Sequence, residues 1–352
     1  MPASPSRPPS PRPRRSAGEA PAAIERYRAA VLRELRATVG RHARAPFSLM
    51  RYHFGWEDRN GHPTAGSAGK LLRPALCLLS CEAAGGAWRA ALPAAVAIEL
   101  LHNFTLVHDD VEDASAQRHG RATVWKLWGE AQAINAGDAL FALAHVELLR
   151  LAGQPARRLL QAAQMLDEAA LRLCEGQHRD LAGEARDRAG YLDMIEGKTA
   201  ALLAASCGIG ALLGGGSAKT VAALYEYGRR LGLAFQVRDD VLGIWGDPRE
   251  TGKPASDDLR AGKRSYPVVV ALERASSGQR RQLDGLLGRA LNATDARRTR
   301  ALLDSLDARE ESDAAARAHA YGAVVALEGA ALRPKPRREL ERLARFAAER
   351  TA

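Results

Sequence analysis

Four acidic side chains follow an apolar run in the segment IELLHNFTLVHDDVED. They are Asp109, Asp110, Glu112 and Asp113. In a helix, Asp109 and Asp113 are four residues apart, so they lie about 40° apart on one face and roughly 6 Å apart along the axis. Two convergent carboxylates repel each other unless a cation joins them, and Mg²⁺ prefers such oxygen ligands, shared with substrate phosphates. The spacing predicts a magnesium site for a phosphorylated substrate.

A second acidic pair, Asp239 and Asp240, follows the apolar residues of GLAFQVRDDVLGIWGD. An isolated acidic cluster is also typical of a solvated helix end. Here, however, both clusters precede basic residues that can bind phosphate, namely Arg118 and Arg121 after the first, and Lys263 and Arg264 after the second. This repetition predicts two acidic helix ends, each combining a metal site with a phosphate anchor.

Other polar residues stand in apolar or helical surroundings. In GKLLRP, Lys70 and Arg73 are expected to be neighbours on one helix face, near an N-terminal dipole that favours anions. His102 lies seven residues before the first aspartate, on nearly the same stripe and roughly 10 Å away. It is either a core histidine whose ring nitrogens are hydrogen-bonded within the protein, or a substrate ligand. Lys198 and Thr199 interrupt an Ala and Leu-rich helix, where a buried lysine requires an anion.

Helices must position all of these residues, because the apolar spacing is helical and no segment shows convincing period-two alternation. We therefore predict one all-α domain over residues 22 to 352. The predicted helices include Ala22 to about Val39, Pro93 to Asp110, 129 to 153 and 156 to 184. Four or five more should follow residue 265, with breaks at Ser276 to Gly278, Ala293 to Thr294 and Arg333 to Pro336.

Positive charge is concentrated at the two ends of the chain. The net charge is +10, and residues 1 to 18 contain four arginines and no acid, while residues 331 to 352 contain seven basic and three acidic residues. The nearly balanced centre argues against a nucleic-acid-binding protein. Residues 1 to 21 are rich in Pro, Ser and Arg, and we expect a disordered arm, either a solubilising tail or a docking peptide for a larger assembly such as an encapsulating shell.

The cysteines and apolar runs indicate a cytoplasmic protein. Cys77, Cys81, Cys174 and Cys207 lie in helix-like segments with no paired ligand spacing beyond one i, i+4 pair, which is typical of reduced core cysteines. No segment reaches the ~18 uninterrupted apolar residues of a membrane span, and the first residues lack the apolar region of a signal peptide. We expect no transmembrane segment.

Residues 50 to 270 carry an ordered set of motifs. They are GKLLRP, ELLHNFTLVHDDVED, RHGRATVW, EGQHRDL, GKTA, FQVRDDVLGIWGD and DDLRAGKRSYP. One such motif is weak evidence, but the ordered set resembles the trans-isoprenyl diphosphate synthase family, the head-to-tail polyprenyl synthases. The resemblance implies an isoprenoid-synthase helical bundle around a central cavity, a prenyltransferase that uses isopentenyl diphosphate and an allylic diphosphate, and a homodimer.

The resemblance also implies a role for each candidate residue. Three Mg²⁺ ions would join an allylic diphosphate to ligands from Asp109, Asp110, Asp113, Asp239 and Asp240. Substrate ionisation would depend on Asp109, Asp113, Asp239, Lys198 and Lys263. The allylic diphosphate would also contact Arg118, Thr199 and Gln236. Isopentenyl diphosphate would be bound by Lys70, Arg73, His102 and His119.

Two residues below the first cluster bear on product length. Phe104 is five residues before Asp109 and about 140° round the helix, so helical geometry alone places it in the core. In the family that the motifs resemble, an aromatic residue at this position is the floor that limits chain length. With a small Thr105 beside it, the resemblance implies a short product of farnesyl to geranylgeranyl size.

The chain departs from the family pattern at three positions. His119 stands where a second arginine is usual, and because a histidine is only partly charged at neutral pH, we expect weaker binding of isopentenyl diphosphate unless Arg121 assists. Gly243 stands where a third aspartate often occurs, and Ala122 replaces a usual proline. Asp239 and the nearby Asp247 should allow activity to survive.

Two alternatives remain open. A class I terpene cyclase would share the acidic metal motif and the ionisation step but would need no second diphosphate clamp, so GKLLRP and His102 favour elongation. A non-catalytic partner subunit of a heteromeric synthase would have no need to maintain costly clusters of like charge such as Asp109 with Asp113.

Overall fold

The computed structural model describes residues 22–64, 66, 69–151, 153–251, 256–287 and 290–351. The arm predicted over residues 1 to 21 lies outside the described residues. The α-helices in the described part are α1 (Ala22–Gly40), α2 (Phe47–His53), α3 (Leu72–Ala83), α4 (Leu92–Glu112), α5 (Val124–Trp128), α6 (Glu130–Leu148), α7 (Ala156–Ala182), α8 (Arg188–Ile195), α9 (Ala201–Leu213), α10 (Ala218–Trp245), α11 (Pro248–Thr251), α12 (Asp257–Arg260), α13 (Tyr266–Arg274), α14 (Ser277–Leu286), α15 (Ala293–Ser305), α16 (Ala308–Ala326) and α17 (Pro334–Glu349).

The centre of the bundle is α9, which is apolar on every side and almost entirely buried. Helices α3, α7 and α10 pack around it, and α4 packs on α3 and α6. Small residues allow the closest crossings: a Cβ atom added at Gly210 would lie 2.1 Å from the backbone oxygen of Cys77 in α3. Burial of α9 on all sides fixes the positions of the helices that line the site.

The all-α prediction is confirmed, and so are the predicted breaks after residue 265, since α14, α15 and α17 begin at Ser277, Ala293 and Pro334. One further break, between Ser305 and Ala308, separates α15 from α16. The expectation that Asp239 and Asp240 close their helix is wrong. Helix α10 continues to Trp245, because the buried Val241 and Ile244 extend its apolar face past the acidic pair.

Two local features were not predicted. Gln117–Arg118 and Arg121–Ala122 form a short antiparallel hairpin, β1 and β2, joined by a two-residue turn. Both turn residues have positive φ, 51° at His119 and 73° at Gly120, as tight hairpin turns require. In addition, Glu196–Ala200 forms a π-helical turn between α8 and α9. Such turns are frequent at functional sites.

In the part of the chain that the structure describes, two helical stretches are long and apolar enough to cross a membrane by length and composition alone. They are Trp88–Glu112 and Arg188–Leu213, and 67% and 78% of their most apolar windows are buried inside the protein. Both contribute to the packed centre of the bundle, which is typical of core helices.

Candidate active site

A cavity of about 770 Å³ lies between the C-terminal end of α4, helices α7, α8 and α10, and the segment after α12. We call it the acidic cavity. Its polar lining combines carboxylates with amino and guanidinium groups, including Asp113, Asp180, Lys198, Gln236, Asp239, Asp240, Asp258, Lys263 and Arg264. The structure therefore brings Asp113 of the first acidic cluster to the same space as Asp239 and Asp240 of the second, although they are distant in the sequence. Asp109 does not line this cavity but is close enough to Lys198, which does, for their charges to interact.

The two aspartates of the first pair have different surroundings. Asp110 is buried, and its Oδ1 accepts a hydrogen bond from Arg118 Nε at 2.8 Å, so Asp110 anchors the hairpin. Asp109 lies a residue earlier on the half-buried face. Burial raises the pKa of Asp109 to about 6; the positive charge of Lys198 opposes this rise, and the negative charge of Asp113 adds to it. A cation near Asp109 and Asp113 would relieve this repulsion.

The two aspartates of the second pair, Asp239 and Asp240, also have different surroundings. Asp240 is buried and accepts hydrogen bonds from Tyr191 Oη at 2.6 Å, Gln236 Nε2 at 3.0 Å and the backbone nitrogen of Tyr266 at 3.0 Å. Burial raises the pKa of Asp240 to about 7. Gln236 also accepts a hydrogen bond from Thr199 Oγ1 at 2.9 Å. Both carboxylate oxygens of Asp240 thus bind protein donors.

Asp239 faces the cavity and forms an ion pair with Arg350, which the sequence did not indicate. The guanidinium of Arg350 lies 3.9 Å from the centre of the Phe235 ring and donates to the Phe235 carbonyl oxygen at 3.2 Å. The Arg350 side chain is only 3% exposed, whereas that of Asp239 is 42% exposed. A buried arginine therefore partly neutralises the second cluster.

Lys198 projects from the π turn and donates from Nζ to Asp180 Oδ2 at 2.6 Å. Burial lowers the pKa of Lys198, but the charges of Asp180 and Asp109 outweigh it, and the net shift is upward. The turn lies against α7 at a glycine: a Cβ atom on Gly176 would be 2.2 Å from the Lys198 backbone nitrogen. The anion that the buried lysine requires is thus Asp180, within the motif EGQHRDL.

A second cavity, of about 640 Å³, adjoins the first, and Lys70 lines both. We call it the basic cavity. Its polar lining is Glu25, Arg28, His53, Lys70, Arg73, Glu99, His102, Asn103, Arg118 and His119. Lys70 precedes α3, which begins at Leu72, so the expectation that Lys70 and Arg73 share one helix face is wrong. Both residues nevertheless line the cavity.

Buried hydrogen bonds organise the basic cavity. Arg73 Nη1 donates to His102 Nε2 at 3.1 Å, and burial followed by the Arg73 charge lowers the pKa of His102, so the ring is neutral. His53 Nε2 donates to Asn103 Oδ1 at 3.0 Å. Asn103 in turn donates to the Glu99 carbonyl oxygen at 2.8 Å, and burial raises the Glu99 pKa to about 7.

The hairpin adds Arg118 and His119 to this lining, but not Arg121. Arg121 donates to the carbonyl oxygens of Tyr52 at 3.0 Å and Glu57 at 2.8 Å, and its guanidinium lies 4.2 Å from the centre of the Tyr52 ring. Arg121 therefore stabilises the end of α2 and the segment that follows it through these hydrogen bonds. Arg121 also lines a smaller cavity of about 200 Å³ together with Arg118 and His119, and the suggestion that it assists His119 in binding a diphosphate stays a prediction.

Comparison with known proteins identifies the family to which this chain belongs. A family described as polyprenyl synthetase matches residues 58–304, more than half of the chain. The chain belongs to the polyprenyl synthetase family. The resemblance stated from the motifs is thereby confirmed, together with the prediction of a transferase.

The relatives of this chain include proteins named as farnesyl and geranylgeranyl diphosphate synthases. A (2E,6E)-farnesyl diphosphate synthase of Mycobacterium tuberculosis is 38% identical over 308 residues, covering 86% of each chain. A polyprenyl synthetase structure from Streptomyces coelicolor A3(2) is 42% identical, with a TM-score of 0.86 over 93% of this chain and 98% of that one. A geranylgeranyl pyrophosphate synthase from Corynebacterium glutamicum, complexed with isoprenyl diphosphate and magnesium, is 27% identical, with a TM-score of 0.81 over 94% and 99%. The short-chain prenyltransferase prediction is confirmed, and the terpene cyclase and partner-subunit alternatives are not favoured.

The residues that were predicted to limit product length lie outside both cavity linings. The Phe104 ring makes edge contacts with His108, at 4.7 Å between ring centres, and with Phe141 of α6, at 5.3 Å. Thr105 is buried and donates to the His102 carbonyl oxygen at 2.7 Å. Phe104 therefore packs between α4 and α6, and its role as a floor stays a prediction.

The donor set of this polyprenyl synthetase suits magnesium that is shared with a substrate. Among the described residues, no three carboxylate, imidazole or thiolate side chains are grouped closely enough to hold a metal by themselves. Mg²⁺ is commonly held by one or two carboxylates, several waters and substrate phosphates. Asp113, which follows α4, and Asp239 on α10 fit that pattern, since both line the acidic cavity, and Asp109 lies in the last turn of α4.

Proposed function

We propose that the acidic cavity binds the allylic diphosphate and the basic cavity binds isopentenyl diphosphate. The observation that supports this assignment best is the pair of adjoining cavities, of which only the acidic one is lined by residues of both acidic clusters, Asp113 and the pair Asp239 and Asp240. Asp109, Asp113 and Asp239 would hold three Mg²⁺ ions together with the diphosphate. Asp110 and Asp240 would instead position Arg118 and Gln236, because their oxygens already accept hydrogen bonds from these residues.

Cationic side chains would complete the allylic site. Lys198 and Lys263 line the acidic cavity and would donate charge-assisted hydrogen bonds to the diphosphate oxygens. Arg118 would reach the same group from the hairpin. Thr199 and Gln236, which are hydrogen-bonded to each other, would fix the orientation of the diphosphate. When bound, Mg²⁺ acts as a Lewis acid and offsets the negative charge that develops on the leaving diphosphate.

In the basic cavity, Lys70, Arg73 and His119 would bind the second diphosphate directly. The neutral His102 ring, oriented by Arg73, would be a hydrogen-bonding group rather than a charge. Cleavage of the allylic C–O bond yields an allylic cation, and the isopentenyl double bond attacks it. The proton that is then lost goes to the departing diphosphate, so the aspartates are metal ligands and not general bases. Lys198 and Lys263 stabilise the charge on that diphosphate.

The product would be of farnesyl to geranylgeranyl size, as in the named relatives. We also propose a cytoplasmic homodimer. Helices α6 and α7 expose large apolar side chains: Val146 is 56% exposed, Leu149 65%, Leu160 70% and Leu171 67%. A second copy that covered this face would remove these side chains from water. The N-terminal arm would remain a separate docking or solubilising segment.

Purified protein should be incubated with Mg²⁺, isopentenyl diphosphate and, in turn, dimethylallyl, geranyl and farnesyl diphosphate. We expect farnesyl and geranylgeranyl diphosphates as the products. Hydrocarbons or alcohols formed from the allylic substrate alone would instead indicate a cyclase, and the absence of turnover with every primer would indicate a non-catalytic subunit. Molar mass in solution, measured by light scattering, tests the dimer.

A further inference from the structure

The second acidic cluster lacks a carboxylate that the first one has. In α4, Asp113 follows Asp109 by four residues and lies on the same side of the helix. The corresponding position in α10, four residues after Asp239, is Gly243. Glycine in the interior of a helix is destabilising relative to alanine, so its presence here calls for a local reason.

The structure provides that reason, because another side chain occupies the space beside Gly243. A Cβ atom built on Gly243 would lie 1.8 Å from Asp258 Oδ2 and 2.6 Å from Asp258 Cγ. The carboxylate of Asp258 therefore stands where a side chain at position 243 would begin. Any residue larger than glycine would force this carboxylate to move.

The segment that carries Asp258 is fixed to α10 and to its neighbours. Ser256 Oγ donates to the Ile244 carbonyl oxygen at 3.1 Å, and Leu259 is fully buried. The Asp258 carbonyl oxygen accepts from the backbone nitrogen of Lys263 at 3.0 Å. These contacts hold Asp258 on the acidic cavity, which it lines together with Asp239 and Lys263.

We infer that Asp258 supplies, from α12, the carboxylate that α10 lacks at position 243, and that it binds Mg²⁺ together with Asp239. This inference rests on the proposed function, since it concerns the metal ions shared with the allylic diphosphate. Gly243 and Asp258 then act as a matched pair, in which the absence of one side chain admits the other. Asp239 on one turn and Asp258 over the next place two carboxylates on the α10 side of the cavity, which Asp113 lines from the end of α4.

The test uses the full-length protein and measures metal binding directly. Mn²⁺ is titrated in the presence of inorganic pyrophosphate, and bound Mn²⁺ is followed by electron paramagnetic resonance. Asp258→Asn should weaken binding of the α10-side ion about tenfold or more. Gly243→Ala should weaken it as well, although it removes no carboxylate, because the added methyl group displaces Asp258. Asp284→Asn, an exposed change on α14, is the matched control and should bind Mn²⁺ like the wild type.

A rescue variant distinguishes a metal ligand from a residue that only supports the fold. Gly243→Asp combined with Asp258→Gly returns one carboxylate to the site from α10 itself, and it should bind Mn²⁺ more tightly than Asp258→Gly alone. Circular dichroism melts without metal confirm that each variant is folded. The inference is overturned if Asp258→Asn and Gly243→Ala bind Mn²⁺ like the wild type. It is also overturned if the double variant binds Mn²⁺ no more tightly than Asp258→Gly alone. Absence of Mn²⁺ binding by the wild type would overturn the proposed metal site itself, and this inference with it.

Discussion

The acidic and basic cavities adjoin at Lys70, yet they are built to treat a diphosphate differently. The acidic cavity presents carboxylates that require metal ions between themselves and a phosphate. The basic cavity presents arginines, a lysine and imidazoles, which can bind phosphate without a metal ion. In the proposed reaction only the allylic diphosphate leaves, so only that group accumulates charge during bond cleavage. The difference indicates that metal ions serve the bond that breaks, and fixed cations suffice for the one that does not.

The largest effect should come from removing a carboxylate of the acidic cavity. Asp239→Asn should lower kcat about 10³-fold, because the loss of metal assistance costs several kcal/mol of transition-state stabilisation. Steady-state rates at saturating substrates and varied Mg²⁺ measure this. Asp240→Asn is the informative neighbour: its oxygens bind Tyr191 and Gln236, so it should lose less activity than Asp239→Asn. Equal losses would contradict the division of roles within the pair.

Two acids, Glu25 and Glu99, line the basic cavity, and the buried Glu99 should make stability depend on pH. Its pKa is raised from 4.5 to about 7 by burial, so between these values the unfolded chain releases a proton that the folded chain retains. The free energy of unfolding should therefore fall as pH rises through this window, by at most about 3 kcal/mol from this group. Denaturant unfolding of the wild type and Glu99→Gln, below and above the window, measures it. The variant should have a shallower slope, although Asp240 contributes a slope of the same sign in both proteins. Parallel slopes would show that Glu99 ionises normally.

Arg73 should affect the second substrate alone. Arg73→Gln removes a guanidinium that lines the basic cavity and orients His102, so the KM for isopentenyl diphosphate should rise about 10- to 100-fold, the value of one or two charge-assisted hydrogen bonds. The KM for the allylic diphosphate should change little. Arg33→Gln, at an exposed position of α1, is the matched control. An equal rise in both KM values would contradict the separation of the two cavities.

The smallest expected effect is tighter binding of isopentenyl diphosphate. His119→Arg places a permanent charge at the mouth of the basic cavity and should lower the KM for isopentenyl diphosphate several-fold, by about 1 kcal/mol. The φ of 51° at His119 limits the gain, because left-handed backbone is less favourable for arginine than for histidine. His62→Arg, at an exposed loop position, is the control. A KM for isopentenyl diphosphate equal to that of the wild type would show that this position does not touch the diphosphate.

The sequence predicted the parts of this site that depend on local spacing. Helical periodicity located α4 and the breaks after residue 265, and the i, i+4 spacing identified Asp109 and Asp113. Other features depend on residues far apart in the chain. The ion pair of Asp239 with Arg350 spans 111 positions, and the carboxylate over Gly243 comes from a different helix. No local pattern encodes such contacts, so tertiary packing alone reveals them.

The π turn at Glu196–Ala200 constrains any redesign of the sequence that joins α8 to α9. A π turn contains about one residue more than an α-helical turn. Because the wide turn absorbs that extra residue, deleting one residue there would restore a regular helix and leave the buried face of α9 in register with α8. Only the residues of the turn would be displaced, and Lys198 would lose its direction towards Asp180. The additional residue of the turn therefore serves the position of Lys198 and not the packing of the helices on either side.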